Sequence, residues 1–311
     1  MKVGIIMGGI SSEREVSLAS GESIFNHIDK EKYEVSKVII NNKIDILEKV
    51  KGLDFALLAL HGKFGEDGTV QAFLDIMDIP YSGCGALSSS LCIDKNLSKK
   101  VLKAENIRTA KWITVKSIEE IDYDKIEEIS YPVFVKPNNG GSSVATFKVY
   151  KKEDIKNAVM EGLKYDEEVI IESFVKGREI TCPIFNEELF PILEIKSKAD
   201  FYDYKQKYAA NGAEHLPVQL EKSLYDEVKE MALKTFEVLK CEVYARVDMI
   251  ISEEVPYILE VNTLPGMTAT SLFPQSAESR GISYSKFIDL IIETSLNKKI
   301  NISFQKSFIE R

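Results

Sequence analysis

Residues 242–262 read EVYARVDMIISEEVPYILEVN, two apolar runs rich in β-branched and aromatic residues with only Ser252, Glu253, Glu254 and Val255 between them. That spacing predicts a β-hairpin. Side chains alternate faces along a strand, so Arg246 and Asp248 share one face of the first strand, and Glu260 and Asn262 share one face of the second. With the hairpin centred near Glu254, position 248 falls opposite 260 and 246 opposite 262. Two carboxylates then face each other, which is destabilising unless something neutralises them. Val247, Met249, Ile250, Ile251, Leu259 and Val261 mark the hairpin as largely buried. Oxygen ligands from Asp248, Glu260 and Asn262 suit Mg²⁺, which takes one or two carboxylates and completes its shell with substrate phosphates. A solvated polar face is the other reading of the same alternation. Arg246 favours the metal, because a fixed guanidinium beside such a site serves phosphoryl transfer.

Working outward, 311 residues with 44% hydrophobic content suffice for a full core and suggest two or three domains. Lys and Arg number 40 against 49 Asp and Glu, and the net charge of -9 argues against nucleic acid or an anionic membrane as partner. Cys84, Cys92, Cys182 and Cys241 form no CxxC pair, so reduced thiols are expected. MKVGIIMGGI is too short and glycine-rich for a secretory signal, and no apolar run is long enough to span a bilayer. A cytoplasmic location is the expectation.

The remaining elements follow from periodicity. KVGIIMG, YEVSKVII, DFALLAL and IPYSG read as strands, with helical patterns such as GGISSEREVSLASGESIFNHI and TVQAFLDIM between them. Up to about residue 92 this alternation implies a parallel α/β sheet with ligands at the carboxyl ends of its strands. From DKNLSKKVLKAEN to about Val175 the strands KWITV, YPVFVKP, VATFKVY and EVIIESFV suggest a smaller α+β unit, with a helix over residues 153 to 164. REITCPIF, FPILEIK, a helix near residues 222 to 239, the hairpin and a last helix at residues 284 to 296 predict a mainly antiparallel sheet. The fold class is therefore mixed, α/β followed by α+β.

Phosphate binding needs its own site. No GxxxxGK[ST] occurs, and MGGISSER is not GxGxxG. KPNNGGSSVATFKV joins two strands through Asn138, Asn139, Gly140, Gly141, Ser142 and Ser143, whose backbone N–H groups and hydroxyls could cover phosphate oxygens. On its own it is a turn. Lys136 lies in the apolar run YPVFVKP, where a lysine needs a partner, and Lys95 opens a helix in CIDKNLSK.

As a set, GGISSEREVSLASG, HGKFGEDGTVQ, DKNLSK, FVKPNNGGSSVA, VKGREIT, FYDYKQKY, ARVDM and LEVNTLPGMTATSL resemble the ATP-grasp ligases, and among them the D-alanine:D-alanine ligases, over nearly the whole chain. The resemblance implies a three-domain ATP-grasp architecture: an N-terminal parallel α/β domain over 1–92, a small central α+β subdomain over 93–178, and a C-terminal antiparallel-sheet subdomain over 179–311 with a lid loop at 198–217. It implies ATP and two Mg²⁺ ions, with Mn²⁺ as an alternative, and a homodimer. One D-alanine is phosphorylated on its carboxylate, and the amine of a second then attacks the acyl phosphate.

By motif, the resemblance makes Asp248, Glu260 and Asn262 the metal ligands, and Arg246 with the backbone N–H of Gly266 the groups that stabilise developing charge. Lys95, Lys136, Ser142 and Lys207 would meet phosphates, and Glu172, Val175 and Glu179 the adenosine. Glu13 would hold the ammonium of the first D-alanine beside His61, while Ser271 and Leu272 would bind the second. Glu13, Ser142 and Tyr208 would form a hydrogen-bonded cluster under the lid. Relatives that make D-alanyl-D-lactate lack this tyrosine lid motif, so the resemblance disfavours a depsipeptide product. From the residues alone, Ser12 and Glu15 have capping-box spacing, which leaves Glu13 for another task. The chain departs from the family at Ala145, where glycine is usual. Two rivals stand beside this reading: an ATP-grasp ligase for another acid or amine, and a two-lobed solute-binding protein.

Overall fold

Val3 to Met7 are fully buried in the first strand, Lys2–Gly8 (β1), which reads as a central parallel strand should. In this computed structural model, which describes residues 1–141, 144–197 and 213–309 and omits the side chains of 197, 213–214 and 299–309, β1 is followed by Arg14–His27 (α1), Glu34–Ile40 (β2), Asp45–Lys49 (α2) and Phe55–Leu58 (β3). Then come Thr69–Ile76 (α3) and Ala86–Ile93 (α4). The sheet is parallel in the order β2-β1-β3. IPYSG, expected as a fourth strand, contributes only a bridge from Tyr81 to Ala56. The chain turns at Gly83 (φ +82°) before it can extend further.

The second unit runs Lys95–Ala104 (α5), Trp112–Val115 (β4), Tyr123–Ile129 (α6), Val133–Pro137 (β5), Phe147–Val149 (β6), Lys152–Gly162 (α7) and Val169–Ser173 (β7). Its sheet is antiparallel in the order β4-β7-β5-β6. Val133, Val135, Val169 and Ile171 alternate onto the face covered by Ile155 and Val159 of α7.

The third unit comprises Arg178–Phe185 (β8), Glu188–Leu189 (β9), Leu193–Ser197 (β10), Ala213–Pro217 (β11), Lys222–Val238 (α8), Tyr244–Ser252 (β12) and Val255–Asn262 (β13). Leu272–Ser279 (α9) and Tyr284–Ile309 (α10) complete the chain. The sheet order is β11-β10-β8-β12-β13, antiparallel, with β9 beside β8. Leu224, Val228, Ala232 and Phe236 recur every four residues along α8 and are all buried against Ile180, Cys182, Val247 and Met249. Such a stripe supplies about 2 kcal/mol for each large side chain it removes from water. The segment expected as a lid loop over 198–217 ends in a strand: residues 213–217 pair with β10, because His215 and Leu216 extend that edge opposite Ile195 and Glu194. Residues 198–212 lie outside the described residues.

Aromatic rings lock the third unit onto the first. Phe273 packs tilted against Phe287 at 5.1 Å and meets Tyr244 edge-on at 5.9 Å, within the core cluster that also holds β1. The last helix, expected to stop near residue 296, continues to Ile309.

Candidate active site

The hairpin has the expected register, Arg246 opposite Asn262 and Asp248 opposite Glu260, but reaches it by another route. Glu253 and Glu254 adopt left-handed φ values of +48° and +62°, a two-residue turn that alone would pair Asp248 with Leu259. A bulge beside Asp248 and Met249 inserts Leu259 as an extra residue and moves Glu260 onto the Asp248 face. Ile258 therefore stays in the core while Glu260 does not.

Asp248 is neutralised within the chain. Arg246 grips it with two N–H groups at 2.9 and 3.0 Å, Thr181 donates to Oδ1 at 2.6 Å, and the Asn262 amide donates to Oδ2 at 2.9 Å. Glu260 has Lys95 Nζ 3.7 Å away. The hairpin thus has a cation of the chain beside each carboxylate, where alternation alone left the facing pair to be neutralised by an ion. Two carboxylates and one amide still form an oxygen set that fits Mg²⁺ if phosphate oxygens complete its shell. Asn262 would then have to present its carbonyl oxygen.

A cleft opens beside this face, lined by Glu66, Lys95, Gly140, Gly141, Glu260 and Asn262 among others. Lys95, the first residue of α5, is buried and donates to the Gly140 carbonyl. Burial pulls its pKa down, against the charge of Glu260. Asn138 fixes the loop to α5: its Oδ1 accepts from Asn96 N at 2.8 Å, and its amide donates to Asp94 at 2.8 Å.

Behind the loop, Glu172 on β7 sits between two lysines, with Lys136 at 2.5 Å and Lys99 at 3.1 Å. Burial alone would raise the Glu172 pKa, but Lys136 and Lys99 hold it down at about 2. Burial likewise opposes the charge on Lys136, yet Glu172 and Glu260 outweigh it and raise its pKa. Val175 lies in the link from β7 to β8, and Glu179 stands on β8 opposite Ile250, its charge felt at Lys136.

On the N-terminal side, Glu13 is buried at the start of α1 against two glycines, so that a Cβ on Gly62 or on Gly141 would fall 2.8 Å from its Oε2. The expected capping box is not formed: Glu13 is itself the N-cap residue, and its N–H is taken by Ser11 Oγ at 3.2 Å. Nearby, the Glu66 carboxylate accepts from Gly62 N at 2.5 Å, and burial, followed by the charge of Glu13, pushes its pKa up to about 8. His61 is buried with both ring nitrogens used. Its Nδ1 faces the Leu264 carbonyl at 3.0 Å and must donate, so Nε2, 3.1 Å from Ser20 Oγ, accepts. Burial pushes its pKa down to about 4, so the ring is neutral. A direct polar contact from His61 to substrate, as expected from the sequence, would require breaking one of these bonds; its present task is to tie Leu264 to the first unit.

Gly266 lies close enough to Ser271 that a Cβ would meet its Oγ at 3.0 Å. Ser271 Oγ also accepts from Thr268 N at 3.1 Å, while Leu272 is buried with Leu193 and Ile195. Ser142, Lys207 and Tyr208 lie outside the described residues. Sequence reasoning passed over Lys99, Glu66, Thr181 and Ser20. Lys99 carried a signal, since it follows Lys95 by four residues on one helix face; Thr181 carried none.

The family described as D-ala D-ala ligase N-terminus matches residues 2–49 and 41–84, and that described as D-ala D-ala ligase C-terminus matches residues 101–293. A D-alanine–D-alanine ligase B of Clostridium perfringens is 97% identical over 96% of this chain and 100% of its own length. A D-alanine–D-alanine ligase of Clostridium botulinum is 61% identical over 95% of this chain and 99% of its own. Among solved structures, the Bacillus anthracis D-alanine–D-alanine ligase complexed with ATP superimposes with a TM-score of 0.89 at 44% identity, covering 97% of this chain and 99% of that one. The VanG D-Ala:D-Ser ligase of Enterococcus faecalis gives 0.81 at 29% identity, covering 94% and 99%. This chain belongs to the D-alanine–D-alanine ligase family.

Proposed function

We propose that the protein joins two D-alanines at the expense of ATP, giving D-alanyl-D-alanine, ADP and phosphate for peptidoglycan precursor synthesis. The observation that carries the reading is the meeting of the Arg246–Asp248–Glu260–Asn262 hairpin with Lys95, Lys136 and the Gly140–Gly141 loop around one cleft. A division into three domains after residues 92 and 178 would cut the end of α4 and the start of β8, and the cleft would then draw residues from all three parts.

Asp248, Glu260 and Asn262 would hold Mg²⁺, which supplies charge neutralisation at the ATP phosphates. Lys95 and Lys136 approach the phosphate oxygens, and Glu172, Val175 and Glu179 border the adenosine. Glu13 takes the ammonium of the first D-alanine, whose carboxylate oxygen attacks the γ-phosphorus as ADP leaves. Arg246 is held rigid by its two bonds to Asp248, so its charge is in place before the transition state forms. Gly266 N–H offers the acyl oxygen a second donor. Ser271 holds the carboxylate of the second D-alanine, whose amine attacks the acyl carbon and expels phosphate. Leu272 backs that position, and the phosphate and cluster roles that the family resemblance gives Ser142, Lys207 and Tyr208 would belong to the same reading. The enzyme would act as a cytoplasmic homodimer; no described helix is long and apolar enough to cross a membrane.

The test is Mg²⁺-dependent ADP release with D-alanine alone, with L-alanine, and with D-alanine plus D-lactate or D-serine. D-alanine alone should suffice. Turnover with L-alanine but not D-alanine, or a requirement for D-serine, would overturn the reading.

A further inference from the structure

Lys99 has no part in the roles assigned above, yet it is among the largest fully buried side chains. Its Nζ lies 3.1 Å from Glu172 Oε2, donates to Thr109 Oγ1 at 2.6 Å and to the Ala110 carbonyl at 3.3 Å, and stands 5.5 Å from the centre of the Trp112 ring. Glu172 Oε1 is turned the other way, to Lys136 at 2.5 Å. The two oxygens of one carboxylate are thus divided between a lysine from α5 and a lysine from β5. These lysines are not equivalent. Lys136 also feels Glu260 and Glu179, so it belongs to the metal-binding side of the cleft. Lys99 also feels Lys136 and Lys95, but its hydrogen-bond partners are Thr109 and Ala110, and its ammonium stands beside Trp112, at the β4 side.

Phosphates entering the cleft compete with Glu172 for Lys136. If Lys136 were the only partner of Glu172, its departure would strand a buried carboxylate, which is strongly unfavourable and would weaken nucleotide binding by the same amount. Resting on the ATP-dependent reading above, we propose that Lys99 is a positioning residue of the nucleotide site: it remains with Glu172 as a permanent counter-ion, so that Lys136 can leave that carboxylate for the phosphates of ATP. The strong depression of the Glu172 pKa by both lysines agrees with a carboxylate that stays ionised throughout.

Trp112 is the only tryptophan in the chain, and its indole stands beside the Lys99 ammonium. Its emission can therefore follow ATP binding to the full-length protein without turnover. ATP with Mg²⁺ is titrated into the wild type, Lys99→Met and Lys99→Arg. For Lys99→Met the ATP Kd should rise about tenfold or more while the KM for D-alanine stays within about twofold, and Lys99→Arg should recover most of the loss. In a Glu172→Gln background, where no carboxylate can be stranded, Lys99→Met should not weaken ATP binding. If Lys99→Met alone fails to fold, Glu172→Gln is compared with Glu172→Gln/Lys99→Met, and a weaker ATP affinity in the double variant overturns the proposal. Wild-type ATP affinity in Lys99→Met, or the same loss in both backgrounds, would overturn the proposal. A wild type that binds no ATP would instead remove the ATP-dependent reading on which it rests.

Discussion

Asp248 faces Glu260 across the hairpin because Leu259 is an extra residue between two regular stretches of pairing. Each carboxylate has its own cation, Arg246 for one and Lys95 for the other. Glu260→Gln should leave the protein folded but lower its unfolding free energy by about 1 kcal/mol or more, since Glu260 is partly exposed while its partner Lys95 is buried and loses its counter-charge. Its Mg²⁺-dependent ADP release should fall by about 100-fold or more, the loss expected when charge stabilisation of a transition state is removed. An equally active variant would make the carboxylate structural.

Thr181 is fully buried and donates to Asp248 at 2.6 Å. Thr181→Val keeps the shape and removes that donor, which should cost about 1 to 3 kcal/mol in chemical denaturation. The Mg²⁺ concentration giving half-maximal rate should also rise. A stability loss with an unchanged Mg²⁺ profile would show that the hydroxyl serves folding only.

Ala145 stands where the family usually has glycine, and it adopts a left-handed φ of +52°. This conformation is unfavourable for a residue with a Cβ. Ala145→Gly should stabilise the protein by about 1 kcal/mol, read as a raised denaturation midpoint. A lowered midpoint would place the residue in a different backbone conformation in solution.

A Cβ at Gly141 would sit 2.8 Å from Glu13 Oε2, so Gly141→Ala must displace either the loop or the carboxylate. Steady-state kinetics should show a KM for D-alanine raised by about tenfold, equivalent to roughly 1.4 kcal/mol of lost binding. An unchanged KM would argue that Glu13 does not hold the amine.

His61 has its pKa lowered from 6.5 to about 4, first by burial. For a base whose folded pKa is depressed, the unfolded chain binds the proton first, so the stabilisation is present above pH 6.5 and is lost as pH falls towards 4. The full loss is on the order of 3 kcal/mol. His61→Gln should flatten this part of the stability curve, and an identical acid slope in wild type and variant would count against a neutral buried ring.

The residues explain which features were legible in the sequence. Alternation with an assumed centre near Glu254 placed Asp248 opposite Glu260, and a helix near residues 222 to 239 was legible where α8 lies. Leu259 gave no warning of a bulge, because it is as apolar as its neighbours and only the two-residue turn at Glu253 and Glu254 makes it surplus. Lys99 follows Lys95 by one helical turn, but that spacing does not name its partners: Glu172 lies on β7, and Thr109 follows the helix before β4. Ser12 and Glu15 had the spacing of a capping box, but Ser11 and the burial of Glu13 decided the helix start. Contacts across units, rather than local preference, settled each of these.

The bond from His61 to the Leu264 carbonyl spans 203 residues of chain. Contacts of such sequence separation form late, after the intervening loops have been closed. The segment after Leu264, whose Met267 and Ala269 N–H groups donate to Ser20 and Ser23 of α1, therefore reaches α1 only once residues beyond Leu264 have joined the fold. A chain still being synthesised can acquire its first parallel sheet, but not this tie between its first and last units.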